Sequence, residues 1–105
     1  MLTVAETETF TRLVGDYWSE PERLEFIEHI ASHPELGDVV PGSGGVRKIR
    51  WHAKGKGKRG GVRVIYYNML SVGTIWLLLI YGKNEQENIP VNILRKIKEE
   101  LENEG

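Results

Sequence analysis

The chain has 105 residues, 40% hydrophobic and 28% charged, with 14 Lys+Arg against 15 Asp+Glu and no cysteine. That length suits one domain with a modest core and excludes most multi-domain cofactor enzymes. The missing cysteines exclude a disulfide framework, a thiolate metal site and a cysteine nucleophile. The longest apolar run, Ile75 to Tyr81, is far below the roughly 20 residues of a membrane helix. The N-terminus shows no basic segment followed by an apolar one. The expectation is one soluble, cytoplasmic domain over residues 1–105.

In chain order, Leu2 to Ala5 suits a short first strand. Phe10, Leu13, Val14, Tyr17 and Trp18 fall at helical spacing, with Thr7 and Thr9 as N-cap candidates. Ser19 and Glu22 form a capping-box pattern, and Pro21 suits a first helical turn, so a second helix begins there. Its stripe is Leu24, Ile27 and Ala31, flanked by Phe26 and Ile30, and Pro34 and Gly37 end it. Residues 37–45 read as loop.

The period then changes to two. Val46 to His52 alternates, with Lys48 and Arg50 on one face and Ile49 and Trp51 on the other. Ala53 to Gly61 is a glycine- and lysine-rich connection, and Val62 to Met69 is rich in β-branched and aromatic residues. A turn around Gly73 leads to Ile75–Tyr81, apolar throughout, as in a strand covered on both faces. Pro90 opens a last helix with Ile93, Leu94, Ile97 and Leu101 as its stripe. The expected fold is α+β: an antiparallel sheet in the order β-α-α-β-β-β, a helix pair on one face, and a C-terminal helix.

The near-zero net charge of −1 is a cancellation of blocks. Residues 1–46 hold nine acidic and two basic residues; residues 47–83 hold nine basic and no acidic ones; residues 84–105 hold six acidic and three basic. Solvated faces mix both signs, so a 37-residue stretch without a carboxylate points to a surface that meets phosphates.

Gly55-Lys-Gly-Lys-Arg-Gly60 matches G-x-G-x-x-G. A dinucleotide site requires a helix after the motif and an acidic residue about 20 positions on, and neither is present. A kinase loop requires an Asp-Phe-Gly motif and a much longer chain. What remains is a glycine backbone that approaches a ligand closely, with Lys54, Lys56, Lys58 and Arg59 as phosphate-binding cations. His29 and His33 are spaced i, i+4 but lack a clear third metal ligand. His52 ends the basic strand as an acid/base or base-stacking candidate. Trp51, Tyr66, Tyr67, Trp76 and Tyr81 suit the core or sheet faces, and Tyr81, near Lys83, is the favoured stacking residue.

Three segments, taken together, resemble a known family. They are Gly44-Gly-Val-Arg-Lys-Ile-Arg50, then Lys54-Gly-Lys-Gly-Lys-Arg-Gly-Gly-Val-Arg63-Val-Ile-Tyr-Tyr67, then Ile80-Tyr-Gly-Lys-Asn-Glu85. In order and spacing they resemble the RelE/HigB toxins (RelE/ParE superfamily) of bacterial type II toxin–antitoxin modules, most closely the HigB branch with this lysine–glycine loop. The resemblance implies a RelE-like fold and metal-independent, ribosome-dependent cleavage of mRNA in the A site, with no cofactor. Its implied partners are mRNA on the ribosome, with 16S rRNA contacts, and a cognate helix-turn-helix antitoxin (HigA-like); no membrane is implied. By position, the basic pair falls on Lys48 and Arg50, the strand arginine on Arg63 and the basic residue after the last strand on Lys83. The chain departs from the RelE pattern at Asn84, where RelE has a second arginine, and in residues 86–92, which lack the catalytic tyrosine.

On this resemblance Arg63 clamps the scissile phosphate and Lys83 assists. The base is Lys48 or Lys56, and the acid is Lys58 or His52. Arg47, Arg50, His52, Lys54, Arg59 and Tyr81 contact RNA or the ribosome. Two other readings share the sequence pattern: a ParE-like inhibitor of DNA gyrase with the same fold, and a non-enzymatic RNA- or ribosome-binding module.

Overall fold

The computed structural model describes residues 2–54, 61–83 and 89–104. Local signals fix its N-terminal half. Strand β1 (Thr3–Glu6) leads to helix α1 (Glu8–Val14), whose N-cap Thr7 accepts the Phe10 N–H at 3.0 Å and donates its hydroxyl to the Leu78 carbonyl at 2.9 Å. One threonine thus starts the helix and pins it to the sheet. Helix α2 (Glu20–Ser32) carries the full capping box between Ser19 and Glu22, with Pro21 in its first turn. The first helix is shorter than its apolar spacing suggests. Gly15 closes it, and Tyr17 and Trp18 bury their rings from a turn whose N–H groups bond back to Val14.

Among the described residues the sheet has five strands, in the order β1-β5-β4-β3-β2. Strands β3 (Arg47–Trp51), β4 (Val62–Met69) and β5 (Thr74–Gly82) form the expected antiparallel meander. A 3-10 turn over Leu70–Val72 joins the last two, closed by Gly73 at φ 70°. Two features correct the sequence reading. The sheet is mixed, because β1 lies parallel to β5, with Thr3 opposite Thr74. The chain leaves β1 across one sheet face as the helix pair and re-enters at the far edge, which puts first and last strands side by side. The 37–45 segment is also not wholly loop. Asp38 and Val39 form a two-residue strand, β2, paired with Lys48 and Arg47 of β3; a bridge this short has no period to detect.

Helices cover both faces. Phe10, Val14, Trp18, Phe26 and Ile30 pack with Ile49, Val62, Val64, Tyr66, Ile75, Leu77 and Ile80 beneath α1 and α2. On the opposite face α3 (Val91–Glu104) sets Leu94, Ile97 and Leu101 against Val46, Ile65, Leu78 and Tyr81. Among the described residues no helix is long and apolar enough to cross a membrane.

Candidate nucleic-acid interface

Strand alternation sends Lys48 and Arg50 of β3 to the α3 face, while Ile49 goes to the helix-pair core. On β4, Arg63 lies between Val62 and Val64, both in the helix-pair core, so it too faces α3. Strand β5 would put Tyr81 on the other side but for a bulge. Tyr66 pairs with Leu77 and Ile65 with Leu79, so Leu78 is the extra residue, and the phase of the strand flips after it. Ile80 then joins the helix-pair core, and Tyr81 joins the α3 face.

The register aligns these side chains. Arg50 is opposite Arg63, Arg63 is opposite Tyr81, and Lys48 is opposite Ile65 one step along. With strands about 4.8 Å apart, two guanidiniums and a phenol occupy one short cross-strand row. Like charges directly opposite destabilise a sheet, by roughly 0.2–1 kcal/mol per pair; an anion bound across the row reverses the sign of that contribution.

Next to the row, Lys48 and Tyr81 help line a cavity of about 180 Å³ roofed by Ile89, Val91 and Leu94 from the α3 end. Tyr81 is only 5% exposed. Burial pushes its hydroxyl up from the ordinary phenol range, against the opposing pull of Arg63, so it remains a neutral donor at physiological pH. Its ring lies in the core beneath α3, in contrast to the exposed stacking face expected from the sequence.

The remaining predicted residues are distributed around this row. Lys83 is exposed in the turn after β5. Arg47 sits on the opposite face, where Nη1 donates to the carbonyls of Gly37 (2.7 Å) and Glu35 (3.2 Å) and ties down the segment entering β2. His52 belongs to the helix-pair side. Its Nε2 is 3.0 Å from Glu25 Oε1, its ring stacks on Trp51 at 5.0 Å, and its carbonyl accepts the Trp18 indole N–H at 3.0 Å. The Lys54 N–H donates to Glu22 Oε2 at 2.8 Å. Lys56, Lys58 and Arg59 lie outside the described residues. His29 and His33 form a stacked pair at 4.8 Å, and His33 Nδ1 meets the His29 carbonyl.

Sequence reasoning missed two sets of supporting residues. Glu22 and Glu25, on a capped acidic helix, hold the end of β3 from which the basic connection departs. Gly61, at φ 71°, re-enters the sheet so close to Trp51 that a Cβ there would collide with its carbonyl oxygen. Far along α3, Tyr67 donates to Glu102 at 2.7 Å and lies 5.8 Å beneath the Lys98 ammonium. Burial first, then the Glu102 carboxylate, pushes the Tyr67 hydroxyl up to about 12. No known protein-family model matches the chain.

Proposed function

We propose that this chain is a toxin of the RelE/HigB kind: a cytoplasmic endoribonuclease that cleaves mRNA in the ribosomal A site and so inhibits translation. The observation that carries this reading is the row Arg50–Arg63–Tyr81, with Lys48 beside it. These four side chains share one sheet face, in a stretch that holds no carboxylate. The resemblance of three sequence segments suggests the reaction class, and the shared face of these side chains supports the roles proposed for them below.

The reaction is an internal transesterification. The 2′ oxygen attacks the adjacent phosphorus and its proton passes to a base. The bond from phosphorus to the 5′ oxygen breaks, and that oxygen takes a proton from an acid. The products are a 2′,3′-cyclic phosphate and a 5′ hydroxyl. Arg63, with Arg50 alongside and Lys83 assisting, stabilises the charge that develops on the phosphoryl oxygens, a role worth about 10²–10³ in rate. Lys48 or Lys56 takes the proton. The neutral Tyr81 hydroxyl, held beside Arg63, joins Lys58 as a donor to the leaving oxygen; His52, whose ring faces Glu25, is better suited to positioning the strand end. Each positioned proton-transfer group contributes typically about 10²–10⁴. The partners on this reading are ribosome-bound mRNA with 16S rRNA contacts and a HigA-like helix-turn-helix antitoxin.

Purified protein, ribosomes and a defined mRNA test the proposal. Cleavage that requires ribosomes and leaves 2′,3′-cyclic phosphate ends is the expected result. Intact mRNA alongside inhibited gyrase supercoiling would transfer the chain to the ParE-like reading. Intact mRNA bound on the ribosome would make it a binding module.

A further inference from the structure

Strand β1 lies at one edge of the sheet. The N–H groups of Thr3 and Thr7 donate to Gly73 and Leu77 on the β5 side, at 2.8 and 3.0 Å. Main-chain groups alternate sides along a strand, so Ala5 points the same way, and the N–H and C=O of Val4 and Glu6 point outward. Among the described residues β1 pairs with β5 alone. The opposite edge is limited to the two residues of β2. The β1 sequence, Thr-Val-Ala-Glu, has no lysine or proline of the kind that blunts an edge.

Beside this edge, β1 and α2 enclose a groove of about 590 Å³ lined by Leu2, Val4, Ile27, Ala31, Glu28 and Ser32. Leu24, 52% exposed, continues its apolar side one helical turn earlier. The surroundings are acidic. Glu28 lines the groove and is exposed, and Glu20, 3.8 Å from Arg23, lies at the start of the same helix, within a block of nine acidic and two basic residues.

We propose that the β1 edge receives an extended segment of a partner protein, which adds a sixth strand, sets alternate aliphatic side chains into the groove and places a lysine or arginine against Glu28. The outward main-chain groups of Val4 and Glu6 select a strand over a helix, the groove selects aliphatic side chains, and the local charge selects a basic segment over nucleic acid or a second acidic copy of this chain. The groove lies on the helix-pair side of the sheet, remote from the face of Lys48 and Arg63, so the inference does not depend on the cleavage reading.

Amide exchange of the intact chain tests it, with the peptide Lys-Thr-Val-Thr-Val-Thr-Val-Thr-Lys and a version carrying Glu at both ends as probes. The lysine peptide is expected to slow exchange at Val4 and Glu6 by ~10-fold or more and to bind ~10-fold more tightly than the glutamate version. Glu28→Lys, at an exposed position that leaves the core intact, is expected to reverse that preference. Val4→Pro, which removes one outward donor and keeps those of Thr3, Ala5 and Thr7, is expected to weaken both peptides. Unchanged exchange at Val4 and Glu6, a preference indifferent to Glu28→Lys, or peptide effects confined to the Arg50–Arg63 face would overturn the proposal. So would protection that rises with protein concentration alone, or protection of β1 by a single-stranded RNA.

Discussion

The two faces of the sheet use the same strands for different ends. Beneath α1 and α2 the face is apolar, with Phe10, Phe26, Ile30 and Tyr66 fully buried and the β1–α2 groove confined to its edge. Beneath α3 the apolar cluster is smaller, and its margin holds Lys48, Arg50 and Arg63 next to a cavity. One face holds most of the large, fully buried side chains. The other sets like charges side by side in the register, the arrangement on which the proposed anion binding rests.

The largest way to break this contrast is to hollow each face. Phe26→Ala, which leaves a cavity among Trp18 and Trp51, is expected to cost about 3–5 kcal/mol in denaturant unfolding. Leu94→Ala, on a helix that can settle onto the sheet, is expected near the low end of its class, about 2 kcal/mol. Equal costs would mean that the two faces contribute alike.

Ser19→Ala sharpens the comparison next. Loss of the cap on α2 is expected to cost about 1 kcal/mol by the same measurement. The Glu22 carboxyl sits below the usual range because it accepts the Ser19 N–H first and the Lys54 N–H second. Its contribution is therefore complete above the ordinary glutamate range and is lost as pH falls through the lower folded value. Glu22→Gln is expected to flatten that acid limb in a stability-against-pH series.

On the other face the sign reverses. Arg50→Gln relieves the cross-strand repulsion with Arg63 and is expected to raise stability by about 0.5 kcal/mol. The same change is expected to lower the salt slope of single-stranded RNA binding by about 0.7. A destabilised variant with an unchanged slope would contradict an anion-binding row. The smallest effect is at Tyr67. Its hydroxyl is raised to about 12 when folded, so the stability it adds is present below pH 10 and lost between about pH 10 and 12. Tyr67→Phe is expected to remove that alkaline slope.

Much of this was legible where the signal is local. The Ser19–Glu22 box, the Thr7 cap, the alternation of Val46–His52 and the β4 composition each report a hydrogen bond or a face within a few residues. That alternation already separates Arg47 from Lys48 and Arg50, and the structure gives Arg47 a different task. Strand β5 was legible as a strand but not in phase. Every residue from Ile75 to Tyr81 is apolar, so no period marks the bulge at Leu78 that decides which side Tyr81 faces. The parallel entry of β1 and the contacts of Glu22 and Glu25 with the end of β3 depend on residues 27 or more positions apart, which spacing within one helix or strand does not encode.

The most direct measurement is the cleavage rate of ribosome-bound mRNA by Arg63→Ala, with its thermal midpoint recorded on the same preparation. The account predicts a midpoint near that of the parent chain and a rate lower by about 10² or more. A folded Arg63→Ala that cleaves at the parent rate would contradict it.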